Sequence, residues 1–172
     1  EGSETYKKKA VLSAAGIAVG DNMLLIREKK TNNIITTSLP YIASVEVKYE
    51  FPDTLKLNIT ETRDKIHIMM GKNMITLDEN GKVLSNKKKK IDKGNYKIIG
   101  LQKQDYNIAY EFEADKDNGN DEKFSLAKEI MAALEKTGIT GFRDINFEDI
   151  LMGGASIDVH GVPLTDEAIA TA

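Results

Sequence analysis

The sequence predicts an α+β protein of two small modules: two helices on a short sheet, then a mixed-sheet β-domain with an amphipathic helix. Three observations carry this reading. Two strict period-2 runs, Val45/Val47/Tyr49 and Leu55/Leu57/Ile59, flank the turn sequence Phe51-Pro52-Asp53-Thr54, a strong hairpin signal. Ahead of the hairpin, apolar residues recur at helical spacing. Behind it, short apolar runs lead to one well-formed helical stripe, Phe124, Ala127, Ile130, Met131 and Leu134, stopped by Gly138.

Each element has a local reason. Ala10, Val11, Ala14 and Ala15 predict a helix over Lys7–Ala15 with Gly16 as its C-cap. Gly20-Asp21-Asn22 is a turn, and Asn22 is a good N-cap for a second helix starting at Met23. That helix carries Leu24, Leu25, Ile26, Ile34 and Ile35, is weak at Thr31-Asn32-Asn33, and must end before Pro40. Both hairpin strands bury one face, and the two helices are its natural cover.

In the second module Ile66, Ile68 and Met70 alternate, and Met74 to Leu77 reads as a strand. Asn80-Gly81 marks a tight turn before Val83 and Leu84. Lys87 to Lys90 with Asp92, Gly94 and Asn95 reads as a loop, and Tyr96 to Leu101 as a strand. Asp115 to Glu122 reads as an exposed polar loop. Phe142, Ile145 and Phe147 follow in a strand. The tail holds one further strand-like piece, Ile157-Asp158-Val159, and a helical turn after Thr165.

Composition removes several function classes. The 172 residues carry a net charge of -3, which lacks the clustered basic excess a nucleic-acid binder needs. Aromatics are 6% and Trp is absent, so a stacking platform is poorly supplied. With no Cys there is no thiolate metal site, thiol nucleophile or disulfide framework. No apolar run approaches the roughly 20 residues that span a bilayer. The chain starts at Glu1 without Met and is read as a mature fragment or a piece cut from a longer protein.

The search for reactive groups returns little. His67 lies in an alternating strand opposite Ile66 and Ile68, and His160 in a Gly-rich tail, neither with a second ligand at metal spacing. Gly71-Lys72 and Gly81-Lys82 lack the glycine run and the following Ser or Thr of a phosphate loop. No Ser sits in a nucleophile elbow. Lys87 to Lys90 reads as a solvated loop, with anionic lipid or wall polymer as the functional alternative. Met69 and Met70 read as strand core. No enzyme, cofactor, metal or small-molecule substrate is expected. Strand-rich proteins without reactive groups commonly act by pairing a sheet edge with a partner strand.

The order Ala14-Ala15-Gly16-Ile17, Gly20-Asp21-Asn22, Leu39-Pro40-Tyr41-Ile42, Val45-Glu46-Val47, Phe51-Pro52-Asp53-Thr54-Leu55 and Ile59-Thr60-Glu61 resembles the POTRA module of the bacterial division proteins FtsQ and DivIB. Ile75 to Leu84, with Asp78 and Gly81, is similar to the start of that family's β-domain. The resemblance implies a POTRA module over 1–63, a β-domain over 64–152 and a divergent tail over 153–172. It implies Gly16, Gly20, Asp21, Asn22, Pro40, Pro52, Glu61, Asp78 and Gly81 as structural motif residues. It further implies a non-enzymatic scaffold on the extracytoplasmic face of the cytoplasmic membrane at the division site. The parent would be a single-pass protein anchored by a helix absent from this chain. It would bind partners of the FtsL and DivIC (or FtsB) type by strand addition and help regulate septum formation. The region Thr140 to Val159 is the expected edge, with Phe142, Ile145, Phe147, Ile157 and Val159 as its contacts. Three departures stand out: the family's opening strand lies upstream of Glu1, Asp64 stands where Pro is usual, and the tail from Gly153 does not match. The alternative is a POTRA-type polypeptide-binding module of an outer-membrane transport or assembly protein; such proteins carry several POTRA units and a barrel.

Overall fold

The computed structural model describes residues 2–87, 90–138, 144–148 and 158–160, the last three through their strand pairing. In chain order the elements are α1 (Lys8–Ala15), a 3-10 turn (Met23–Leu25), α2 (Glu28–Ser38), β1 (Ile42–Glu50), β2 (Thr54–Glu61), β3 (Ile66–Met70), β4 (Asn73–Leu77), β5 (Val83–Ser85), β6 (Tyr96–Ile99), α3 (Asn120–Thr137), β7 (Asp144–Asn146) and β8 (Asp158–His160). This is the α+β class expected. Contacts divide the chain into two compact units: Glu1–Asp64 with Leu77–Ser85 and Tyr106–Phe112, and Lys65–Thr76 with Asn86–Asp105 and Glu113–Ala172.

In the first unit β1 and β2 form the expected antiparallel hairpin, with Val45 opposite Ile59 and Val47 opposite Leu57. The Phe51–Pro52 peptide in its turn is cis. Val11 of α1 and Ile35 of α2 pack with Ile42, Val45, Val47 and Leu57 into one core, so the helices do cover the hairpin. Helix α1 stops at Gly16, whose φ of 64° is the left-handed cap that ends a helix without a Cβ penalty.

The second helix differs from the expectation. Asn22 does cap: its side chain accepts the Leu24 N–H at 3.1 Å. The segment it starts is only a 3-10 turn, because Ile26 and Arg27 are extended and the Ile26 carbonyl receives the Tyr49 hydroxyl. Leu24 and Leu25 are therefore exposed rather than core. Helix α2 runs straight through Thr31-Asn32-Asn33, where intrinsic propensity is weak. Tertiary contacts outweigh propensity there: Thr31 is buried with Ile35, one turn apart, and Asn32 Oδ1 accepts the Val45 N–H at 2.7 Å.

The turn at 78–82 is fastened to the same unit. Asp78 is buried, its Oδ1 accepting the N–H groups of Asn80 and Lys82 at 2.9 Å each and its Oδ2 the Thr62 hydroxyl at 3.0 Å. The Lys82 ammonium donates to the carbonyls of Thr36 and Ile42 at 3.0 and 2.9 Å. Thr36 is in the last turn of α2, where carbonyls lack helical partners and a cation is favoured. Burial lowers the Lys82 pKa, and the Asp78 carboxylate opposes that shift.

In the second unit the strand order is β4-β3-β6-β7-β8. β3 to β6 and β6 to β7 are parallel, and β7 to β8 is antiparallel, so the sheet is mixed as expected. Parallel neighbours need a long crossover, and α3 lies in the one from β6 to β7. The alternation read in β3 is not one-sided exposure: Ile66, His67, Ile68 and Met70 are all buried, the pattern of a strand covered on both faces. Phe124, Ala127 and Met131 form the buried face of α3. The helix begins at Asn120, four residues before the apolar stripe, and Asn120 is fully buried. The expected exposed loop over Asp115–Glu122 is therefore corrected in its last three residues.

Candidate strand-pairing interface

Reactive chemistry is sparse on this fold. No cluster of three or more His, Asp or Glu side chains could hold a metal ion among the described residues. His67 is fully buried and satisfied: Thr76 Oγ1 lies 3.2 Å from Nδ1 and Asn95 Nδ2 lies 3.4 Å from Nε2. His160 lies in β8, paired with Asp144. Lys87 and Lys90 are exposed, while Lys88 and Lys89 lie outside the described residues.

The sheet borders are the groups left to consider. At β1 the side chains of α2 take up main-chain donors: Asn32 accepts from Val45, and Glu28 Oε1 from the Val47 N–H at 3.4 Å. At β5 the segment 106–112 does so: Val83 N–H donates to the Tyr110 carbonyl, and Ala109 N–H to the Val83 carbonyl, both at 2.8 Å. Two further borders have no named strand alongside among the described residues. One is the outer side of β2, along a groove of about 390 Å³ lined by Gly2, Lys8, Leu12, Leu55, Leu57 and Ile59. The other is the outer side of β8, the last strand of its sheet.

β8 is held by β7 through Val159 opposite Ile145 and Asn146 opposite Asp158. β7 in turn is anchored inward. Ile145 pairs with Ile98 and is buried, and the Lys97 ammonium meets the Asp144 carboxylate at 3.1 Å. Phe147, just past the strand, is fully buried, and its N–H donates to the Ile99 carbonyl at 2.9 Å. Of the five expected contact residues, Ile145 and Phe147 thus belong to the packed base of this edge, and Val159 stands in the edge strand itself. Phe142 and Ile157 lie outside the described residues.

The motif residues cluster on local bonds. Asp21 Oδ2 accepts the Ala18 N–H at 2.8 Å, closing the Gly20-Asp21-Asn22 turn. Pro40 follows directly on α2. Glu61, at the end of β2, gathers the Ser3 hydroxyl, the Glu4 N–H at 3.1 Å, and the Thr5 N–H and hydroxyl at 3.0 and 3.1 Å. Partial burial pushes the Glu61 carboxyl up, but these bonds together outweigh it and hold its pKa below the usual value. Glu61→Gln is expected to lower stability by about 1 kcal/mol at neutral pH, since the amide cannot accept on both sides. With its folded-state pKa depressed, Glu61 stabilises fully above its unfolded value of about 4.3 and loses that contribution as pH falls below it. The wild-type minus variant difference in unfolding free energy, followed from neutral to acid pH, reads this directly; a constant difference would refute it.

Three features escaped the sequence reading: Asn120, Lys82, and the capture of β1 amides by Glu28 and Asn32. The only sequence signal for the first was the Asn118-Gly119-Asn120 cluster, whose short side chains bond readily to main chain.

Residues 1–62 match the family model of the FtsQ-type POTRA domain. The chain is 24% identical over 146 residues to the cell division protein DivIB of Clostridium tetani, an alignment covering 85% of this chain and 51% of the relative. It is 22% identical over 151 residues to the DivIB of Clostridium acetobutylicum, covering 88% of this chain and 58% of that protein. The chain thus spans little more than half the length of these relatives.

Proposed function

We propose that the chain, with its match to the FtsQ-type POTRA domain and its similarity to two DivIB proteins, is a member of the FtsQ/DivIB family of cell-division proteins, a non-enzymatic scaffold that binds other division proteins by strand addition and helps regulate septum formation. The observation that carries this reading is the outer border of β8: a strand tied to a well-packed neighbour on one side and, among the described residues, with none on the other. Main-chain N–H and C=O groups along such a border are a template for one more strand, and pockets beside it supply specificity. The partners are of the FtsL and DivIC (or FtsB) type. Phe142, Ile157 and Val159 supply apolar contacts, and Ile145 and Phe147 hold the edge in place. The chain acts as a POTRA module over 1–63, a β-domain over 64–152 and a terminal tail over 153–172, outside the cytoplasmic membrane at the division site. No helix among the described residues is long and apolar enough to cross a membrane; the proposed anchor is a helix of the longer parent protein. The groove along β2 suits the opening strand that the family places upstream, which leaves β8 as the edge for partners.

Single Pro substitutions at Asp158, Val159 and His160 test this. Successive N–H groups alternate between β7 and the outer side, so Pro on the outward N–H spares the fold and removes a donor from the partner strand. Capture of FtsL and DivIC ectodomains is expected to fall roughly tenfold or more for that variant, with thermal unfolding unchanged. Undiminished capture by all three variants excludes strand addition at β8.

A further inference from the structure

A second surface on the first unit is apolar, basic and uncovered, and its chemistry differs from that of a strand edge. Val19 is fully exposed, and Leu24, Leu25 and Phe51 are 71, 77 and 74% exposed. These side chains stand at three chain reversals: the loop after α1, the 3-10 turn and the hairpin turn. They are not scattered, because Val19, Leu24 and Phe51 rim one groove of about 710 Å³ with Leu12, Met23 and Leu55 in its lining. Large apolar side chains seldom gather in the open on a soluble surface without a partner to meet.

Charge specifies that partner. Between Lys7 and Lys30 the chain carries six cations, Lys7, Lys8, Lys9, Arg27, Lys29 and Lys30, against two carboxylates, in a protein whose net charge is -3. All six are exposed, and none is held in an ion pair among the described residues. The two carboxylates are engaged internally, Asp21 with the Ala18 N–H and Glu28 with the Val47 N–H. Lys8 lines the same groove as the apolar rim, together with Asp21 and Asp53, and Arg27, Lys29 and Lys30 follow directly on the turn that presents Leu24 and Leu25; with Glu50 and Asp53 beside Phe51, the segments that form this face carry six cations against four carboxylates, still a basic excess. Apolar tips that can enter the acyl boundary, with cations beside them at headgroup level, are the composition of an interfacial membrane contact.

We propose that this face of the first unit rests on an anionic lipid surface, with Val19, Leu24, Leu25 and Phe51 entering the interface and the flanking lysines meeting lipid phosphates. The contact is peripheral and independent of any partner at β8. Few buried methylenes and a handful of charges make it weak, reversible and salt-sensitive.

Co-sedimentation of the whole chain with vesicles tests it. Equimolar phosphatidylcholine and phosphatidylglycerol vesicles are expected to carry the protein down at low salt, and phosphatidylcholine alone to carry much less. The triple variant Val19→Ser/Leu24→Ser/Leu25→Ser is expected to lose roughly tenfold or more in partitioning. Lys7→Gln/Lys8→Gln/Lys9→Gln is expected to lose about fivefold per charge on the anionic vesicles alone. All these positions are exposed, so unfolding temperature should be unaltered. The proposal is overturned if wild-type protein stays in the supernatant with anionic vesicles at low salt, or if the serine variant sediments like wild type. It is equally overturned if neutralising Lys87 to Lys90 abolishes sedimentation while the serine variant keeps it. Loss of a protein ligand by the serine variant, without any vesicle binding, would reassign the face to a protein partner.

Discussion

Asn120→Ala is expected to lower stability by on the order of 2–4 kcal/mol, although Asn120 lies in a segment that reads as surface. Its side chain is used as a main-chain mimic. Oδ1 accepts the Gln102 N–H at 2.8 Å, while Nδ2 donates to the Gln102 carbonyl at 2.9 Å and to Gln104 Oε1 at 2.7 Å. The segment leaving β6 has no strand of its own at this point, so the amide satisfies both main-chain groups of one residue, Gln102. Truncation removes all three bonds of a fully buried amide and leaves their part-buried partners unmet, and the cost of an unmade bond exceeds the gain from a made one. Asn120→Asp provides the sharper test. A carboxylate keeps the acceptor for Gln102 N–H but turns a second acceptor toward two oxygens. Its folded-state pKa would be raised above the unfolded value of about 3.9, so the variant gains stability as pH falls through that folded value, until both states are protonated. Urea unfolding across acid to neutral pH measures it, and a variant as stable as wild type at neutral pH would refute this role.

Gly100→Ala is expected to be strongly damaging for a single methyl group, costing about 3–5 kcal/mol. Gly100 has φ +92°, which L side chains rarely adopt, and a Cβ there would lie 2.7 Å from both the Phe147 carbonyl carbon and the Glu148 nitrogen. Neither can withdraw cheaply, since Phe147 is fully buried and hydrogen-bonded to Ile99. Gly94→Ala is the control: φ is +89°, yet no atom lies within 4 Å of the added Cβ, so only the backbone cost of roughly 1–2 kcal/mol applies. The difference between the two variants in chemical denaturation isolates the close approach of the chain after β6 to the chain after β7. Gly100→Ala should also weaken whatever binds at β8, because β8 reaches the rest of the sheet through β7. Equal destabilisation by the two alanines would show that the approach carries no energy.

The hairpin, the caps and the α3 stripe were legible because each is decided within a few residues. Val45, Val47 and Leu57 alternate with period 2 across the Pro-Asp turn, and Phe124, Ala127 and Met131 recur at helical spacing, so local pattern and final burial agree there, while Tyr49 at the end of its run is exposed. Gly16 and Gly138 end their helices for equally local reasons. The second helix was misread at its start because Leu24-Leu25-Ile26 is as apolar as a core segment. Their exposure follows from the Tyr49 hydroxyl binding Ile26 from a strand more than 20 residues away. Of the five residues named for the expected edge, Phe142, Ile145, Phe147, Ile157 and Val159, the sequence does not distinguish those packed inside the sheet, Ile145 and Phe147, from Val159 in the last described strand, because that depends on pairing with distant segments.

From its sequence alone the chain determined its class, the β1-β2 hairpin, the absence of any evident catalytic motif and a resemblance to a division-protein family, since all of these rest on residue type and short-range order. Only the tertiary structure decided which polar side chains stand in for main chain, as Asn120, Asp78 and Lys82 do, and which sheet borders are covered, as those of β1 and β5 are. Those outcomes depend on where distant segments come to lie, and a buried donor or acceptor is satisfied by whatever group the fold brings within about 3 Å, wherever it sits in the sequence.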